Sequence, residues 1–323
     1  VLVRGALPRR VVRQDVLVEL ESHRNELVAY CYRMVGSCHE AEDLVQETML
    51  RAWKARDRYD ATRASVRTWL YRIATNVCLT ALAGRARRPL PSGMSAVSDD
   101  PGAPLTPAID VPWLQPFPDA RYDVGHRADL RLALVAAMQA LPARQRAVLV
   151  LREVLEFSAS EVAAQLDTTV AAVNSALQRA RAVLVDVEAV TEPDDPEVRA
   201  VIDRYARAFE TADVPALVEL LARDAVLEMP PVPLWYRGTD DYGRFLRRVF
   251  DLRGTDWRVR GLTANGQPAL AAYAPAAEGR YRLHTVQVFT VVSGQVARNV
   301  VFADPAVLDG FDLPREIFSD SAR

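Results

Sequence analysis

The sequence predicts a multidomain chain, with an all-α N-terminal half in two helical blocks and a C-terminal α+β domain. Three observations predict it. Apolar residues recur at helical spacing from about residue 15 to residue 190. A proline-punctuated stretch at 89–125 interrupts that pattern once. After TEPDDPE (191–197), short helical patterns give way to alternating strands. At 323 residues the chain also exceeds one ordinary domain, typically about 150 residues.

The first block, 15–88, reads as three helices. Leu27, Tyr30, Cys31, Met34 and Val35 make an apolar stripe that Gly36 ends. HEAEDLVQETMLRAWKARDRY (39–59) opens on acids and closes on bases, as the helix dipole favours. SVRTWLYRIATNVCLTAL (65–82) makes the third pattern, stopping at Gly84.

The stretch 89–125 holds eight prolines and is expected to be an extended linker. Within it VPWLQPF carries Trp113, Leu114 and Phe117, which are costly to leave in water. They are expected to dock on this chain or on a partner.

The second block, 126–190, begins with a stripe of Leu130, Leu134, Val135 and Met138, broken at Leu141-Pro142. ARQRAVLVLREVLEF (143–157) forms the next helix. Ser158 and Glu161 then have the spacing of a capping box. Asp167-Thr168 supplies a turn, and Thr169 can cap the helix that follows. Two helices joined by so short a turn form a helix-turn-helix.

The third block, 196–315, opens with helices at 198–210 and 214–221. AVLEM (225–229) then reads as a strand and 240–249 as a helix. DWRVRGL, PALAAY, RYRLHTVQVFTVV and QVARNVVFA follow as strands of an antiparallel sheet, with Ser293-Gly294 as a hairpin turn.

A net charge of −2 conceals an uneven distribution. Residues 61–98 contain no acid while including Arg63, Arg67, Arg72, Arg85, Arg87 and Arg88. Residues 168–185 are also acid-free and contain Arg179 and Arg181. Clearing carboxylates from a helix face suits phosphate contact, because a nearby acid cancels the attraction. The three cysteines show no metal spacing and read as free thiols in a reducing cytoplasm. No apolar run is long enough to span a membrane, no signal peptide is read, and no cofactor or metal is expected.

AEDLVQETMLRAWK (41–54), RTWLYRIATNVCLTAL (67–82) and the Arg85, Arg87, Arg88 cluster resemble the second conserved region of extracytoplasmic-function (ECF) sigma factors of the sigma-70 family. LPARQRAVLVLREV (141–154) and the helix-turn-helix resemble the fourth region. The resemblance covers 15–188, in matching order and spacing.

It implies a non-enzymatic, cytoplasmic subunit that binds core RNA polymerase, recognises and melts promoter DNA, and initiates transcription. Asp43, Gln46, Glu47 and Arg51 would bind the clamp of the largest subunit. The fourth region would meet the flap of the second-largest. Arg63, Arg67, Arg72, Asn76, Arg85, Arg87 and Arg88 would serve the −10 element, with Trp69 more fitting as core than as a stacking platform. Thr169, Val170, Asn174, Ser175, Gln178, Arg179 and Arg181 would serve the −35 element, Asn and Gln suiting adenine edges. The linker would run toward the RNA exit path, giving Trp113 and Phe117 a polymerase surface.

The third block resembles a SnoaL-like (NTF2-like) domain, a curved sheet and helices around a cone-shaped pocket. TANGQPAL (263–270) resembles a motif of sigma factors with this appendage. The resemblance implies regulation of the sigma core and a pocket open to a small molecule, with Asp224, Glu228, Asp256 and His284 as pocket residues. The connector some of these groups carry after the fourth region is replaced by TEPDDPE. Two alternatives stay open: a helix-turn-helix repressor, and a SnoaL-like isomerase or cyclase fused to a DNA-binding half.

Overall fold

In the computed structural model, residues 20–122, 130–184 and 195–318 are described. They divide into two compact units. Among these residues, one unit joins 20–85 with 141–184, and the other joins 86–122 and 130–140 with 195–318.

In the first unit, α1 (Arg24–Val35), α2 (Cys38–Ala55) and α3 (Val66–Leu82) pack together. Gly36 ends α1 at φ 74°, its N–H donating to Tyr32 O, a backbone shape that costs glycine little. Ser37 and Ser65 cap the next two helices, accepting from Glu40 N and Thr68 N. Ala41, Val45, Thr48 and Ala52 line the buried face of α2, as a 3.6-residue repeat requires. The Tyr30 hydroxyl meets Thr75 Oγ1 at 2.7 Å, and its ring meets Tyr71 edge-on at 5.3 Å. Cys31 and Cys78 are buried free thiols in sulfur contact at 3.6 Å. Their mutual hydrogen bond and their burial hold the Cys31 thiol well above its usual range.

Helix α4 (Leu132–Ala140) belongs to the second unit. The first resumes with α5 (Ala143–Leu149), which runs into a π turn (Val150–Val154). Helices α6 (Ala159–Gln165) and α7 (Val170–Val183) follow as a helix-turn-helix. Ser158 and Glu161 form a reciprocal capping box, and Thr169 caps α7 through Ala172 N. Val162, Leu166, Val173, Leu177 and Ala180 are buried between these helices. Arg146 of α5 is buried and donates to Met34 O and Leu141 O. It thus satisfies a carbonyl in the last turn of α1, where a cation also suits the dipole. Burial pulls the Arg146 guanidinium down to about 10.

In the second unit, α8 (Pro196–Glu210), α9 (Val214–Glu219) and α10 (Thr239–Arg253) accompany a seven-stranded sheet. Its strands are β1 (Leu221–Met229), β2 (Val232–Arg237), β3 (Arg258–Ala264), β4 (Gln267–Pro275), β5 (Arg280–Val292), β6 (Gln295–Phe302) and β7 (Glu316–Phe318). They run in the order β2-β1-β6-β5-β4-β3, with β7 on β5. The sheet is mixed rather than antiparallel as expected, because β1 and β6 pair in parallel. All the intervening chain separates these two strands, so no hairpin forces them to run opposite ways. β2, which carries Pro233, lies at a sheet edge, where a missing N–H costs least. Phe209, Phe250 and Trp257 form an edge-on aromatic cluster in the core. Gly243 of α10 passes so near α9 that an added Cβ would sit 2.8 Å from Val218 Cγ2.

The connecting segment has little regular structure, but it is held. Trp113, Leu114 and Phe117 are buried within the second unit, so they dock on this chain rather than lying open to a polymerase surface.

Candidate functional site

Along α2, Asp43, Gln46, Glu47 and Arg51 fall on one face by their spacing of three and four residues. Asp43, Gln46 and Arg51 are exposed, and Arg51 pairs with Glu47 at 2.7 Å. Leu50 lies on the same face and is 45% exposed. Sequence reasoning passed over it, although an apolar residue seven positions after Asp43 falls on that stripe.

On and around α3 the predicted residues differ in availability. Arg63, Arg72 and Asn76 are exposed. Arg67 is half-buried, its guanidinium 4.7 Å from the Phe157 ring centre and 5.2 Å from that of Tyr71. It also donates to Leu155 O at 3.4 Å and lies 3.7 Å from Glu26. Arg72 reaches Asp167 at 3.5 Å. The acid-free helix therefore meets a carbonyl, an aromatic ring and a carboxylate supplied by the 155–167 segment. Tyr71 is core, whereas Trp69 is only half-buried, against Tyr59 at 4.9 Å. Arg85 pairs with Glu40, and Arg87 is exposed. Arg88 departs from expectation. It is half-buried and donates to Trp113 O at 3.3 Å, and burial lowers its pKa.

Helix α7 keeps Val173, Leu177 and Ala180 inward and Val170, Asn174, Ser175, Gln178, Arg179 and Arg181 exposed. Thr169 is occupied by its capping bond, and Arg181 pairs with Glu153 at 2.8 Å. Asn174 and Gln178 stand one turn apart on the outer face, with amides suited to base edges. Val170, 45% exposed at the first turn, offers a surface for a thymine methyl.

The pocket expectation needs correction. The second unit contains a cavity of about 410 Å³ whose lining includes His284 but not Asp224, Glu228 or Asp256. Asp224 is exposed. Glu228 is fully buried, where it accepts from Ser92 N at 2.8 Å and from Arg298 at 2.6 Å. Strand alternation explains this. Leu227 and Met229 line the cavity, so Glu228 between them points to the other face. Asp256 accepts from the Tyr281 hydroxyl at 2.7 Å and from Arg258 at 2.6 Å, and these bonds hold its carboxyl below the usual range. His284 is pulled down to about 4, mainly by burial and secondarily by Arg253, so its imidazole is neutral near pH 7.

The turn between β3 and β4, inside TANGQPAL, holds the connecting segment. Asn265 and Gly266 both have positive φ, 59° and 61°, the shape of a two-residue hairpin turn. Asn265 N donates to Phe117 O, and its Oδ1 accepts from Phe117 N at 2.8 Å. Its Nδ2 donates to Leu130 O at 2.6 Å. Gly266 N donates to Asp119 Oδ2, and Gln267 Oε1 accepts from Leu132 N, the first amide of α4. One turn thus satisfies polar groups at 117–119 and at 130–132. The motif was visible in the sequence, but its partners lie more than 130 residues away.

Among the described residues, no helix is long and apolar enough to cross a membrane, and no cluster of three His, Cys, Asp or Glu could hold a metal ion.

Three families match along the chain: Sigma-70 region 2 at residues 20–88, Sigma-70, region 4 at 131–184, and the SnoaL-like domain at 202–299. The ECF RNA polymerase sigma factor SigG of Mycobacterium tuberculosis is 45% identical over 325 residues, covering 96% of this chain and 87% of that protein. SigJ of the same species is 27% identical over 317 residues, covering 91% of this chain and 94% of its own length. The crystal structure of SigJ matches with a TM-score of 0.63 at 25% identity, over 92% of this chain and 100% of that one. With regions 2 and 4 in order, their helices in place and a SnoaL-like domain behind them, the chain belongs to the ECF RNA polymerase sigma factors.

Proposed function

We propose that the chain acts in the cytoplasm as the promoter-recognition subunit of RNA polymerase. The exposed α2 face of Asp43, Gln46, Glu47, Leu50 and Arg51 meets the clamp of the largest subunit, and the fourth region meets the flap of the second-largest. Arg63, Arg67, Arg72, Asn76, Arg85 and Arg87 hold the opened −10 strand, where cations on phosphate and polar groups at bases are the fitting chemistry. The outer face of α7 reads the −35 element, Asn174 and Gln178 at base edges and Arg179 and Arg181 at phosphate. The observation that carries this reading is the α7 face, which presents amides, a hydroxyl and arginines with no carboxylate on the helix.

Regulation by the C-terminal domain is supported by the grip of Asn265, Gly266 and Gln267 on the segment that connects regions 2 and 4. The same grip includes Glu228, which accepts from Ser92 N.

The clamp assignment is tested by retention on immobilised core polymerase. Asp43→Arg reverses a charge on an exposed position, so the expected outcome is lost retention with an unchanged circular-dichroism spectrum. Normal retention would sink the assignment.

A further inference from the structure

Nine residues, LALVAAMQA, make α4. A helix that short is marginal without outside support, even when built from good helix formers. Arg131 stands at its cap position, where the carbonyl accepts from Val135 N at 2.9 Å. An arginine side chain has no acceptor to offer the free amides of the first turn. By contrast α2, α3, α6 and α7 each carry a Ser or Thr at that position, accepting from the amide three residues on.

The missing acceptor comes from the C-terminal domain. Gln267 Oε1 accepts from Leu132 N at 2.7 Å. The Gln267 amide is held in that orientation, because its Nε2 donates to Phe289 O at 2.9 Å and to Thr290 Oγ1 at 3.0 Å, both on β5. Just before the helix, Leu130 O accepts from Asn265 Nδ2 at 2.6 Å. Leu130, Leu132, Asn265 and Gln267 are all buried, so losing either bond leaves polar groups unpaired. Helix α4 itself buries Leu132, Val135 and Met138 at helical spacing. It belongs to the second unit with this domain, whereas α5, α6 and α7 belong to the first. The match to region 4 nevertheless begins at residue 131. Region 4 is therefore divided, its first helix with the C-terminal domain and its DNA-reading helix in the other unit.

We propose that the β3–β4 turn is a template that folds the first helix of region 4. Gln267 supplies the cap that the helix lacks, and Asn265 fixes the residue before it. The C-terminal domain thereby controls region 4 through the order of α4. The effect on promoter recognition rests on the function proposed above, but the templating does not.

The test is amide hydrogen exchange on the full-length protein and two variants. Gln267→Met removes the acceptor, whereas Asn265→Gly keeps the left-handed turn and leaves the bonds of Gln267 to β5 untouched. In both, exchange at residues 136–140 should be about fivefold faster or more, the size of a lost cap, with the β5 amides unchanged. Exchange across α4 at the parent rate in both variants would overturn the template. If Gln267→Met also speeds the β5 amides, Asn265→Gly alone decides. Arg131→Asp, added to Gln267→Met, gives α4 a cap of its own and should restore slow exchange. Fast exchange persisting in that double variant would overturn the capping role of Gln267.

Discussion

Helix α7 presents Asn174, Ser175, Gln178 and Arg179 to solvent, while α3 has two of its arginines engaged within the same unit. Arg67 lies over Phe157 and donates to Leu155 O, and Arg72 reaches Asp167. Both helices lack carboxylates of their own. On α3 the counter-charges and acceptors come from Glu26 and from the segment between the π turn and α7. Absence of acid in a helix therefore specifies the chemistry of a face but not its availability. A phosphate arriving at Arg67 must displace a carbonyl and an aromatic ring, and one arriving at Arg181 must displace Glu153, whereas Arg179 is exposed and has no such partner among the described residues.

The strongest way to break this contrast is to remove the cover. Phe157 is buried against Tyr71 at 5.5 Å. Phe157→Ala should cost about 3–5 kcal/mol of stability, as for other buried aromatic truncations. A loss below about 1 kcal/mol in denaturant titration would mean that the packing over Arg67 is incidental.

An intermediate effect is expected on α7. Gln178→Ala should weaken binding to a −35 duplex by about 1–3 kcal/mol and relax preference at one base pair. If all sequences weaken equally, Gln178 touches backbone rather than a base.

The smallest effect concerns Arg72. Its pair with Asp167 joins two exposed groups, and such pairs add little to stability. Arg72→Ala should leave the melting temperature unchanged while lowering transcript yield from promoters. A clear drop in melting temperature would show that the pair is structural and that Arg72 is committed to the fold.

The legibility of the sequence followed the distance between interacting residues. The caps at Ser158 and Thr169 and the buried stripes of α1 and α7 depend on neighbours within one or two turns, and they could be read directly. The prolines at 230, 231 and 233 hid β2, because they deplete a strand of donors, yet an edge strand tolerates that loss. The π turn at Val150–Val154 has no sequence signature comparable to a cap.

The cavity was least legible. Three acids were proposed for it, but alternation along β1 turns Glu228 away, and Arg258 and Tyr281 engage Asp256 outside the lining. One of its buried polar lining residues, Asn299, is an ordinary amide in a β-strand. It matters only because Tyr242 and Gln287, distant in sequence or on a neighbouring strand, fix its orientation.

Run-off transcription with core RNA polymerase and the full-length protein, on templates selected by binding, tests promoter recognition at its source. Promoter-dependent transcripts are expected, and Asp43→Arg should abolish them. Absence of any transcript from templates the protein binds would contradict it and favour a repressor.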